Sequence, residues 1–161
     1  MNMMNKTINL KNPIHFLAVG FGSGLIRPAP GTWGTLAGLI LSILLWELTE
    51  SALFFAILTL ISFWAGCHIC QKTSDDLNVH DDGRIVWDEI VAMFMIFAIL
   101  PEYNWIYYLL AFTIFRFFDI LKPYPIRHLD EKLESGLGIM LDDILAAIYA
   151  IIVIYVIYWI C

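Results

Sequence analysis

The run Ile85-Val86-Trp87-Asp88-Glu89-Ile90 decides how the rest of the chain is read. It leads straight into ten apolar residues, 91–100, so two adjacent carboxylates stand at the mouth of a hydrophobic segment. In lipid, a charge at such a place costs at least about 2.5 kcal/mol unless it is paired, hydrated or bound to a cation. The pattern returns once: Asp142-Asp143 opens the last apolar run, residues 144–160. Two acidic pairs on two membrane helices call for one explanation, and a divalent metal ion shared between them is the simplest.

Composition sets the frame for that reading. The 161 residues are 60% hydrophobic and 15% charged, with a mean hydropathy of +0.76. Soluble domains carry about a quarter charged residues, so the expected fold class is an all-α integral membrane protein, a single domain over residues 1–161. A net charge of −6, with no cluster of Lys or Arg, gives no sign of nucleic-acid binding, and no nucleic-acid partner is expected. Trp33, Trp46, Trp87, Trp105 and Trp159 suit the two membrane interfaces. Cys67 and Cys70 share a helical face without a second half-site, so they are read as small apolar packing residues. Lys6 and Lys11 are not followed by an apolar segment with a small-residue cleavage site, and no cleaved signal peptide is expected.

Working outward, residues 1–12 are polar. Residues 13–26 are apolar but interrupted by Gly20, Gly22 and Gly24. Fourteen helical residues reach about 21 Å, short of a ~30 Å hydrocarbon core, which predicts an interfacial or re-entrant helix. Five spanning helices are then expected at residues 36–46, 52–70, 85–100, 105–121 and 137–160. A polar turn, polar loops at 71–84 and 124–136, and Pro101 and Pro123 separate them. Thr32 or Thr35 is the expected cap of the first. Alternation along these helices puts every Lys and Arg on one face: Lys6, Lys11, Arg27, Lys72, Arg84, Arg116, Lys122, Arg127 and Lys132. The positive-inside rule makes that face cytoplasmic and leaves the C-terminus outside.

Asp88, Glu89, Asp142 and Asp143 therefore converge at the cytoplasmic end of the bundle. Helix neighbours lie roughly 100° apart, so each pair offers one carboxylate to a central site and one to a neighbouring helix. Hard oxygen ligands suit Mg²⁺, which keeps water and phosphate oxygens as its remaining ligands. The competing reading makes these acids helix-start residues favoured by the dipole. Arg116 and Asp119 stand at i and i+3, with Lys122 one step further. They form either an intrahelical ion pair or, with Arg116 and Lys122 facing an anion, a phosphate receptor beside an orienting carboxylate. The segment Pro30-Gly31-Thr32-Trp33-Gly34-Thr35 offers backbone N–H groups at a helix start that can cradle phosphate. It is not a Walker A loop. Cys-x5-Arg, Asp-x-Asp-x-Thr and Ser-Gly-His phosphatase motifs are absent, and His15, His80 and His128 have no matching nucleophile. Asp81-Asp82-Gly83 reads as a turn as readily as a ligand set.

Several blocks taken together closely resemble the phosphatidylglycerophosphatase A family of bacterial membrane phosphatases. They are Gly20-Phe21-Gly22-Ser23-Gly24, Pro30-Gly31-Thr32, Val79-His80-Asp81, Ile85-Val86-Trp87-Asp88-Glu89, Phe115-Arg116 with Asp119 and Lys122-Pro123, and Gly138-Ile139-Met140 with Asp142-Asp143. They run in the family's order over residues 13–150. Thr35 and Asn78 depart from it, standing where serine and glycine are common. The resemblance implies Mg²⁺-dependent removal of the terminal phosphate from phosphatidylglycerophosphate at the cytoplasmic face of the bacterial inner membrane. On that basis Glu89, Asp142 and Asp143 are expected to hold the metal. Asp88 or Asp119 would orient or deprotonate water. Arg116, Lys122 and the Thr32, Gly34 and Thr35 segment would bind phosphate. A carboxylate nucleophile is a further possibility left open by the residues. The alternative class is a small cation transporter that uses the same acids as an ion path. Oligomeric state is not legible in the sequence.

Overall fold

The computed structural model describes residues 7–161; Lys6, counted above among the cytoplasmic charges, lies outside the described residues. Those residues form helices and turns, with no strand among them. In order they are α1 (Pro13–Ala18), a 3₁₀ segment (Gly20–Leu25), α2 (Pro30–Thr49), α3 (Ala52–Leu77), α4 (Trp87–Ile99), α5 (Trp105–Leu121), α6 (Ile126–Lys132) and α7 (Gly136–Ile160).

Local chemistry sets most of these boundaries. Asn12, Ser51, Asn104 and Ser135 each cap the helix they precede, accepting from a first-turn N–H, as in Phe54 N–H to Ser51 Oγ at 3.2 Å. Pro30 stands at the first position of α2, where its missing N–H costs nothing. The expectation that Thr32 or Thr35 caps that helix is overturned. α2 starts six residues before the expected residue 36, its cap position is Ala29, and the Thr35 hydroxyl donates instead to Gly31 O at 2.8 Å inside the helix.

The expected count of five spans is also corrected. Three helices, α2, α3 and α7, are long and apolar enough to cross a membrane. α5 has 17 residues, about 25 Å. α4 has 13, about 20 Å, well short of a ~30 Å core. The apolar run 91–100 is expected inside a spanning helix, but ten of the 13 α4 residues are buried in protein. α4 is the central post of the bundle, packed against α2, α3 and α7, with α5 lying against α7. A helix wrapped by others on all sides needs apolar residues all round, which sequence alone cannot tell from lipid exposure.

Between helices in lipid, small residues permit the close backbone approach that drives association. Gly34 of α2 is such a position: a Cβ there would overlap the Val86 side chain at the start of α4. At the far end Tyr103 donates to Phe97 O at 2.6 Å and stacks on Trp46, fixing the α4–α5 turn. Two polar stretches expected as loops are helical. Residues 71–77 continue α3, supported by Gln71–Asp75 and Lys72–Asp76 contacts one turn apart and by His15 Nε2, 3.1 Å from Asp76 Oδ2. Residues 126–132 form α6, with an exposed Arg127–Glu131 pair.

Candidate active site

The first turn of α4 and the second turn of α7 meet at the end of the bundle where α2 starts and α5 ends. Val86 N–H donates to Ala18 O at 2.8 Å, which ties the entry to α4 to the end of α1. That register sets Asp88 and Glu89 inward. Trp87 anchors the other side, its indole N–H donating to Ser62 O of α3 at 3.1 Å.

All four acids are buried, with 7% (Asp88), 8% (Glu89), 4% (Asp142) and 3% (Asp143) of their surface exposed. Carboxylate oxygens of Asp88, Asp142 and Asp143 lie within 4.8 Å of one another. The converging trio thus takes Asp88 from the α4 pair, while Glu89 points to α2 and α5. Its Oε1 stands 3.6 Å from Arg116 Nη1. Arg116 also pairs with Asp119 one turn along α5, and its Nη1 reaches the Thr35 hydroxyl at 3.5 Å. Lys122, just past the end of α5, places Nζ 2.7 Å from Asp142 Oδ2. Asp119 lies within hydrogen-bonding reach of Asp143, closing the ring.

The charge balance of this ring is what gives it chemical meaning. Counted as ionised, five carboxylates outnumber the one guanidinium and one ammonium by three in a protein-walled space. Asp88 Oδ1, Glu89 Oε2 and Asp143 Oδ2 are buried with no hydrogen-bond partner, as is Arg116 Nε. Buried carboxylate oxygens without donors are costly. A hard divalent cation satisfies several at once, and an all-oxygen donor set fits Mg²⁺ or Mn²⁺ rather than a thiophilic metal. The residues present fit such an ion.

Gly31 forms the α2 wall. A Cβ built on it would sit 2.5 Å from Glu89 Oε1 and 3.1 Å from Arg116 Nη1, so only glycine lets α2 approach this ion pair. In Pro30-Gly31-Thr32 the glycine carries this signal, rather than the hydroxyls and N–H groups beside it. Those N–H groups are partly committed, since Thr32 N–H donates to Ala29 O at 3.0 Å. Thr35 is fully buried against Arg116, Gly34 is used for helix packing, and Thr32 is half-buried beside Gly31. The site residues read from the sequence therefore gather at one end. They do so in two subsets, the three aspartates with Lys122, and Glu89 with Arg116, Asp119 and Thr35.

Buried acids set against Arg116 and Lys122, in a helical bundle with membrane-length apolar helices, have the makings of an enzyme site for phosphoryl groups. Residues 16–158 match the family model described as Phosphatidylglycerophosphatase A. The chain belongs to that family, and is a phosphatase. It is 60% identical over 155 residues to "Phosphatidylglycerophosphatase A" of Haemophilus influenzae, covering 96% of this chain and 94% of that protein. It is 38% identical over 152 residues to the protein of the same name from Escherichia coli, covering 92% and 85%. No solved structure matches the chain.

Proposed function

We propose that the protein removes the terminal phosphate of phosphatidylglycerophosphate, leaving phosphatidylglycerol in the bacterial inner membrane. The observation that carries this is the convergence of Asp88, Asp142 and Asp143 beside Arg116 and Lys122 at one end of the bundle. The names of the family's members supply the lipid. The apolar helices α2, α3 and α7 keep the acyl chains in the bilayer, so only the head group enters the ring.

Asp88, Asp142 and Asp143 are the residues that would hold Mg²⁺, with Glu89 beside them against Arg116. When bound, the ion offsets phosphate charge and polarises a phosphoryl oxygen. The remaining work falls to the chain. Arg116 offers two N–H groups to two phosphate oxygens, and Lys122 offers a point charge. Both are held in place by acids before substrate arrives. Asp119 would take the proton of the attacking water, whose oxygen forms the new bond to phosphorus as the bond to the glycerol oxygen breaks, and return that proton to the departing glycerol oxygen. Burial keeps bulk water from competing for these contacts.

The ion-path reading gains no support here. A path needs acids at successive depths, and these sit at one end of the helices. The described Lys and Arg side chains belong to that same end, so the site faces the cytoplasm under the positive-inside rule. A reporter fused after Cys161 should then be active only outside the cytoplasm; activity inside would reverse the topology. The functional reading is tested by phosphate release from a panel of lipid monophosphates in detergent micelles. Expected is release from phosphatidylglycerophosphate that disappears with chelator and returns with Mg²⁺. Release unaffected by chelator would remove the metal from the account.

A further inference from the structure

Next to the acid ring lies a second feature that the phosphatase chemistry does not use. A cavity of about 580 Å³ opens between the segment entering α2 and the loop from α3 to α4, lined by Arg27, Pro30, Asp81, Asp82 and Arg84. It adjoins the reacting centre on two sides. Pro30 precedes Gly31, the residue against Glu89 and Arg116. Asp81 is near enough for its charge to act on Asp88.

The two arginines of this cavity differ in what they can do. Arg84 is committed, donating from Nε to Asp82 Oδ1 at 2.8 Å and from Nη2 to Asp82 Oδ2 at 2.7 Å. Those hydrogen bonds hold the Asp82 carboxyl below its ordinary range, so the pair stays ionised and rigid at neutral pH. Arg27 is exposed, and its charge acts on Asp82 from outside that bridge. A guanidinium outside the Arg84–Asp82 bridge, exposed on the wall of a polar cavity, can receive an anion. Two other cavities lack this character. The one between α3, α4 and α7 is apolar. The one bordered by Asp75, His80 and Glu134 carries carboxylates and no Lys or Arg.

We infer that this cavity takes the part of the head group that does not react, with Arg27 pairing to the phosphodiester that joins it to the diacylglycerol. The inference rests on the phosphatase reading. A phosphatidylglycerophosphate molecule carries two phosphates separated by one glycerol. One must lie among Asp88, Asp142, Asp143, Arg116 and Lys122 to be hydrolysed. The other must fall in the adjoining space, and the cavity beside Pro30 supplies both room and the Arg27 guanidinium, with Asp81 as the opposing charge on its wall. A lipid whose only phosphate is the reacting one gains nothing from Arg27. The site thus distinguishes a two-phosphate lipid from phosphatidic acid by binding energy away from the reacting centre.

The test is the ratio of kcat/KM for phosphatidylglycerophosphate to kcat/KM for phosphatidic acid, measured in the same detergent micelles. One charge-assisted contact at a partly exposed position predicts that Arg27→Ala lowers this ratio about tenfold. Arg27→Lys should keep most of it, since the charge remains. Both variants should melt with the unaltered protein, because Arg27 is exposed and stands outside the Arg84–Asp82 bridge. A ratio unchanged in Arg27→Ala, or a parallel fall on both lipids, overturns the inference. Weaker inhibition by inorganic phosphate with an unmoved ratio would assign the cavity to released phosphate and overturn it too. Hydrolysis of neither lipid by the unaltered chain would sink the phosphatase reading itself, a result distinct from failure of this inference alone.

Discussion

Asp88→Asn, Asp142→Asn and Asp143→Asn are each expected to abolish Mg²⁺-dependent phosphate release, lowering kcat/KM by at least about a thousandfold. The three oxygens lie within one coordination sphere's reach, so each swap removes a ligand while keeping side-chain shape. Because the ligands act as a unit, a double variant drawn from α4 and α7 should be little worse than either single one. Folding should survive. Asp88→Asn and Asp143→Asn each remove a buried carboxylate from a ring with an excess of acids, so thermal stability in detergent should hold or rise, whereas Asp142→Asn also breaks the pair with Lys122 and should melt somewhat earlier. The alternative, acids kept only for the helix dipole, predicts small additive losses of under about 1 kcal/mol each. Glu89→Gln reads the fourth acid separately, since Glu89 stands toward Arg116.

Arg116→Lys should lose most activity even though the charge is kept. The guanidinium is braced by Asp119 and Glu89 and can present a planar pair of donors to two phosphate oxygens. Lysine offers one compact charge and cannot reproduce the fork. A lost charge-assisted hydrogen bond at about 1.5–3 kcal/mol corresponds to one to two orders of magnitude in kcat/KM. The ion pair with Asp119 can persist in the lysine variant, so expression and melting should change little. A variant that melts early but turns over normally while folded would assign Arg116 to structure alone.

How much of this was legible beforehand depends on which physical signal each residue carries. The membrane-like composition, the helices and the gathering of Asp88, Glu89, Asp142 and Asp143 at one end followed from hydropathy and alternation, which are properties of the chain itself. The Arg116–Asp119 spacing likewise announced its ion pair. The role of α4 did not follow. A helix buried in protein and one buried in lipid have the same apolar composition, and only the length, 13 residues, separates them. The division of the adjacent acids was also hidden. Asp88 and Glu89 differ by about 100° of helix rotation, and which one faces α7 depends on how Trp87 docks on Ser62. The helical continuation through Gln71–Leu77 was masked by its polarity, because its supports are side-chain pairs and a contact from His15 far away in the chain. Gly31 carried a visible motif but its use, close approach to Glu89 and Arg116, is a tertiary fact.

The central claim is that the three aspartates form one cation site, and binding tests it more directly than turnover. Mn²⁺ titrated into the purified protein in detergent, followed by electron paramagnetic resonance of the free ion, should show saturable binding that Mg²⁺ displaces. Asp88→Asn and Asp143→Asn should each abolish it, although they lie on different helices and 55 positions apart in sequence. Saturable binding that persists undiminished in both variants would contradict the account.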